Sequence, residues 1–201
     1  SSNGGVTWPA TETVILTASD KAANDLFGFS VSASNNSALI CAPYHDTGAL
    51  AGAGAAYLYR SNNGGVTWPS SETQLLTASD KAASDGFGFS VSISGDVALL
   101  GAPSHDTGGL SNAGAAYLYV SSNGGVTWPS SETVILTASD KAASDSFGRS
   151  VSISGNIALI GAPDHDTGGL SNAGAAYLYV SNNGGVTWPS SETQKLTASD
   201  K

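Results

Sequence analysis

The residues of this chain that could do chemistry are three histidines, four tryptophans and a recurrent set of aspartates. His45, His105 and His165 each precede an aspartate (Asp46, Asp106 and Asp166), a pairing that suits metal ligation or general-base work. Nothing resembling a nucleophile or a second orienting group recurs with them, so a structural role is expected and an enzyme is not. Asp80, Asp85, Asp106, Asp140, Asp145, Asp164 and Asp166 lie in polar, glycine-rich stretches whose carboxylate and carbonyl oxygens can hold calcium. The competing reading makes Asp80 and Asp85 turn and cap residues that accept nearby backbone N–H groups. Trp8, Trp68, Trp128 and Trp188 stand beside polar loops, where an indole can stack on a sugar ring. Each also follows a turn at the start of a strand, where the ring would cover a sheet edge and its interface, and packing is the expectation.

The elements that must position these residues follow from a repeat. The four tryptophans are spaced by 60 residues, and Pro43, Pro103 and Pro163 keep the same step. Residues 61–120 and 121–180 differ at nine positions, and the last 21 residues closely restate the first 21. A unit of this kind buries its apolar face only against its neighbours, as in solenoids, propellers and arrays. The expected divisions are a partial repeat at 1–21, carrying the outer strand of a preceding blade, and blades at 22–81, 82–141 and 142–201.

Within one unit, Phe89, Val91 and Ile93 alternate with Ser90, Ser92 and Ser94, which gives a strand one apolar and one small polar face. A Gly95-Asp96 turn leads into the apolar run Val97 to Leu100, the pattern of a strand covered on both sides, which Pro103 stops. Ala115 to Val120 alternates again, with Tyr117 and Tyr119 on one face. Asn123-Gly124-Gly125 is a hairpin signal. It predicts a fourth strand from about Thr127 to Thr137, placed at the sheet edge by Pro129, which has no N–H for a ladder. The expected fold is all-β, with tandem four-stranded antiparallel β-propeller blades, three in number, plus an extra terminal strand equivalent to the fourth. In such a meander the fourth-to-first and second-to-third connections emerge at one rim. That rim collects Asp80, Lys81, Asp85, His105 and Asp106, with their equivalents in the neighbouring blades.

Composition narrows the partners. Seven Lys and Arg against sixteen Asp and Glu leave a net charge of −9, which argues against a phosphate-backbone partner. No apolar run approaches the roughly 18 residues of a membrane span, so membrane insertion is not expected. A chain with no methionine is expected to be a processed, excised or incomplete product. The single Cys41, in an apolar strand, forms no internal disulfide and reads as a buried inert thiol. Asn35-Asn36-Ser37 is a glycosylation sequon for a eukaryotic secretory route.

Phe87-Gly88, Ser90-Val91-Ser92-Ile93-Ser94-Gly95-Asp96 and Gly101-Ala102-Pro103 together resemble the FG-GAP repeat of integrin α-subunit propellers. Leu76-Thr77-Ala78-Ser79-Asp80 and Thr67-Trp68 are similar to a bacterial and marine variant of that repeat. Cys41 replaces the glycine of Gly-Ala-Pro in the first unit and Arg149 the second aromatic in the third, so local adjustment is expected there. The resemblance implies a propeller of about seven blades in extracellular adhesion or surface proteins, whereas three blades cannot close a ring. The chain is therefore a section of a longer array, half of a ring closed with a second copy, or a unit of an open filament. The spaced calcium loop of integrin propellers is replaced by the tight Gly95-Asp96 turn. The expectation is a non-enzymatic extracellular or cell-surface structural or adhesive protein. Its partners would be other copies of itself, further repeats, a glycan or a cell-surface protein. The alternative is a carbohydrate- or calcium-dependent ligand-binding module.

Overall fold

A computed structural model describes residues 10–199. Its strands are β1 (Ser30–Ser34), β2 (Ser37–Ala42), β3 (Ala55–Arg60), β4 (Gln74–Leu76), β5 (Ser90–Ser94), β6 (Val97–Ala102), β7 (Ala115–Val120), β8 (Val134–Leu136), β9 (Ser150–Ser154), β10 (Ile157–Ala162), β11 (Ala175–Val180) and β12 (Gln194–Leu196). They form three antiparallel four-stranded sheets, β1-β2-β3-β4, β5-β6-β7-β8 and β9-β10-β11-β12, each a simple meander and none closed into a barrel. The first three strands of each sheet fall where alternation, turn and proline place them.

The fourth strand differs from its expected extent. It spans three residues, and the stretch from Thr127 to Thr133 is a connection. The Asn-Gly-Gly segment does not make a tight hairpin, because its polar groups satisfy one another within a longer loop. Asn123 Oδ1 accepts the Ser121 hydroxyl and the Thr127 N–H, and the Asn123 amide donates to Thr127 Oγ1. With those groups satisfied locally and Pro129 lacking a donor, the ladder begins only at Val134.

Neighbouring sheets stack with β1, β5 and β9 adjacent, the arrangement of propeller blades around their inner strands. The tyrosine face of one sheet meets the leucine face of the one before it. Leu39, Leu58 and Leu76 pack with Phe87, Leu100, Tyr117 and Tyr119, and Val97, Leu99, Leu118 and Leu136 pack with Phe147, Ile160, Tyr177 and Tyr179. At the two internal joints the serine face of the inner strand is bonded to the next sheet. The Ile93 N–H donates to Ser32 Oγ (3.1 Å) and the Gly95 N–H to Ser34 Oγ (3.0 Å), while the Ser30 hydroxyl donates to the Gly88 carbonyl (2.7 Å). Ser90, Ser92 and Ser94 repeat the same three bonds to the third sheet. The glycines of Phe-Gly and Gly-Ala-Pro meet at this joint. A Cβ on Gly101 would collide with the Gly148 carbonyl, so the second position demands glycine. The first joint accepts Cys41, whose Cβ lies against Gly88, and adds the Arg60 guanidinium donating to the Gly125 carbonyl at 2.8 Å.

The segment preceding β1 takes on the first sheet the place that the end of each fourth strand takes on the next sheet. The Tyr59 hydroxyl donates to the Thr17 carbonyl and the Tyr57 hydroxyl to Asp20, as Tyr119 does to Thr77 and Tyr117 to Asp80. Leu16 and Ala18 pack beneath those rings. The extra terminal strand is thus in place as a packed segment, without a ladder partner among the described residues.

Candidate functional site

The rim expected from the meander gathers one cluster per repeat. In the second, the connection from β4 to β5 turns at Asp85, whose Oδ2 accepts the Ala82 N–H at 2.6 Å. The same oxygen lies 2.9 Å from His105 Nδ1, and the other ring nitrogen is 3.4 Å from Asp80 Oδ2. Asp80 Oδ1 accepts the Tyr117 hydroxyl at 2.9 Å, and the tyrosine ring meets the imidazole edge-on. The carboxylates come from the connection and the imidazole and phenol from the following sheet, so the cluster fastens one to the other. Asp20, Asp25, His45 and Tyr57 repeat it, as do Asp140, Asp145, His165 and Tyr177.

The electrostatics match a clamp. The hydrogen bond to Asp85 lifts the His105 imidazole above its ordinary value against the opposing effect of burial, and the charges of Asp85 and Asp80 add to the lift. Burial and the neighbouring aspartates push the phenols of Tyr57, Tyr117 and Tyr177 far up, which keeps them neutral donors. In the third repeat Lys195 reaches in, donating to Asp140 Oδ2 at 2.5 Å and to His165 Nε2 at 2.8 Å. Burial alone would raise Asp140, but the bonds from Lys195 and Tyr177 outweigh it and hold the carboxyl below its usual range. A base needs a lone pair within reach of substrate. Each of these imidazoles instead has both ring nitrogens directed at side chains of its own cluster.

Other sequence-selected residues lie elsewhere. Asp106 and Asp166 accept the N–H groups of Asn112 and Asn172 at 2.9 Å and shape their own loops, as Asp46 does for Gly52. Asp164 is exposed beside Arg149 in a shallow groove. Of the seven aspartates, Asp80, Asp85, Asp140 and Asp145 sit in the clusters, Asp106 and Asp166 in loop turns, and Asp164 in that groove. Among the described residues no group of three His, Cys, Asp or Glu side chains is arranged to hold a metal ion. The indoles pack: Trp128 is 6% exposed in the core between the first two sheets, its Nε1 donates to the Gly125 carbonyl, and Gln74 caps its backbone from the first sheet. Trp68 and Trp188 make the same indole bond and are half-buried. Trp8 lies outside the described residues. The Cys41 thiol is buried, which pushes it up to about 12 despite a hydrogen bond with Ser30. Asn35 is exposed in the β1–β2 turn at a φ of 53°.

Sequence reasoning did not find the tyrosine hydroxyls or Lys195 as members of the clusters. The tyrosines were legible as a sheet face, and their rise at the same step as Asp80 and His105 was the available signal. The serine alternation was legible too, but not what it bonds.

Three meandering sheets stacked on their inner strands define a β-propeller type of repeat protein. The FG-GAP repeat family model matches residues 10–59, 70–119 and 130–179, and the chain belongs to that family. FG-GAP repeats are modules generally without catalytic activity that typically occur in extracellular, often adhesive, proteins. A search of curated proteins finds no match to the chain. Among the described residues no helix is long and apolar enough to cross a membrane.

Proposed function

We propose that this chain is a non-enzymatic structural or adhesive module of extracellular or cell-surface proteins, whose task is to stack with further sheets of its own kind. The observation that carries this reading is the use of the chemically capable residues. The inner-strand serines bond one sheet to the next, and the His-Asp-Asp-Tyr clusters fasten each incoming connection to the sheet that follows it. A surface with few charges on near-identical units suits such assembly, since identical units offer identical interfaces.

The second reading, a glycan- or calcium-dependent ligand module, would need the indoles and aspartates to be available to a ligand. Glycan arrays probed with and without chelator separate the two. The structural reading expects no glycan signal and a melting temperature unchanged by EDTA. Chelator-sensitive glycan binding would overturn it.

A further inference from the structure

The second and third repeats are near copies, and the positions at which they part are not scattered. Of the nine differences between residues 61–120 and 121–180, three put their third-repeat residue into one groove of about 420 Å³: Ser146 for Gly86, Arg149 for Phe89 and Asp164 for Ser104. These three bring in a hydroxyl, a guanidinium and a carboxylate. Another three, Leu75 and Ile135, Val97 and Ile157, and Leu100 and Ile160, only exchange one aliphatic side chain for another.

The groove lies at the joint between the second and third sheets, where three connections meet. Ser104 and Asn112 come from the one between β6 and β7, Ser146 and Arg149 from that between β8 and β9, and Asp164 and Asn172 from that between β10 and β11. The Ser146 N–H donates to the Asn112 carbonyl and the Arg149 N–H to the Ser146 carbonyl, both at 3.1 Å, which fixes the turn that presents Arg149. Ser146 holds a φ of 57° where Gly86 holds 68°, so the third repeat keeps a left-handed serine at a place that glycine takes without strain.

Arg60 and Lys141 donate to backbone carbonyls and Lys195 to Asp140. The Arg149 guanidinium instead lies over the Phe89 ring, 4.7 Å from its centroid, and its side chain donates to no described residue. The exposed Asp164 carboxylate accepts from none. Opposite charges thus line one groove without pairing. A guanidinium whose face rests on a ring still offers its N–H edge, which takes a carboxylate by two parallel bonds. A bare anion entering the groove would meet Asp164 and a bare cation would meet Arg149, whereas a ligand carrying both charges satisfies the two at once. Such a ligand has no net charge, so the net charge of −9 on the chain does not repel it.

We infer that this groove binds a small zwitterion, an amino acid whose carboxylate meets the Arg149 guanidinium and whose ammonium meets Asp164. The site belongs to the third repeat's departures from the second, so it goes beyond the stacking role proposed above and does not rest on it.

NMR titration of the isotope-labelled 201-residue chain with glycine, β-alanine and 4-aminobutyrate, which set the two charges progressively further apart, tests it. Acetate, methylammonium and glucose serve as anionic, cationic and neutral controls. At least one amino acid is expected to give saturable shifts at the Ser146, Arg149 and Asp164 amides, with a midpoint about tenfold below that of any control, the advantage of a second charge-assisted contact. Arg149→Phe and Asp164→Ser restore the residues that the second repeat already folds with, and each is expected to abolish that advantage while leaving the remaining spectrum unchanged. No saturable shift with any of the three amino acids, a control that binds as tightly as the best of them, or binding indifferent to Asp164→Ser would each overturn the inference.

Discussion

Ser92 Oγ accepts the Ile153 N–H at 3.1 Å across the boundary between the second and third sheets. An inner strand has no ladder neighbour on that side, and a serine from the preceding sheet supplies the acceptor. Ser92→Ala is expected to destabilise the chain by about 1–3 kcal/mol, the cost of leaving a buried donor unpaired. Urea denaturation measures it, and a change within error would detach these serines from stability.

Leu99 fills the same joint. Leu99→Ala is expected to cost about 2–5 kcal/mol through lost burial and the cavity left behind. Calorimetry checks the value, and a loss below 1 kcal/mol would mean that the sheets re-pack freely.

Gly101 faces the Gly148 carbonyl so closely that a methyl group has no room. Gly101→Ala is expected to cost about 1–3 kcal/mol by forcing the backbones apart. Cys41→Ala, which keeps a Cβ already accommodated and sheds only the thiol, is expected to cost less. Chemical denaturation of both variants side by side decides it, and equal losses would place the constraint elsewhere.

The raised His105 gives a pH dependence of definite sign. Its protonated form is favoured by folding, so its contribution is fully present below the ordinary value of 6.5 and is lost as pH rises through the higher folded value. Asp140, held low, acts oppositely: its contribution is present above 3.8 and lost as pH falls through the lower folded value. Melting temperature is therefore expected to decline at both ends. His105→Gln should flatten the alkaline side and Lys195→Met the acidic side, and titration of the imidazole by NMR reads the first directly.

Much of the architecture was legible because the repeat is nearly exact and its strands obey simple rules. The alternation around Val91, the run at Leu99 and the stop at Pro103 place three strands of four within a residue or two. The fourth was overextended because Asn123 and Thr127 satisfy each other inside the loop, a local competition that propensity does not display. The rim was legible from topology, which brings Asp80, Asp85 and His105 together. What each carboxylate bonds was not, since His105 and Tyr117 reach Asp80 only once the connection from β4 to β5 has folded onto the sheet that follows it. Lys195 entered a cluster from a position held elsewhere by Leu75 and Ile135, where no pattern announces a cation.

Arg60 stands where the later units have Val120 and Val180, and only the first joint carries its bond to the Gly125 carbonyl. Interchangeable units invite assembly in the wrong order, because a segment 60 residues too far along would satisfy nearly every contact. Arg60 gives one boundary a key that fits a single lock. A handful of such irregularities is enough to number otherwise anonymous units along the chain.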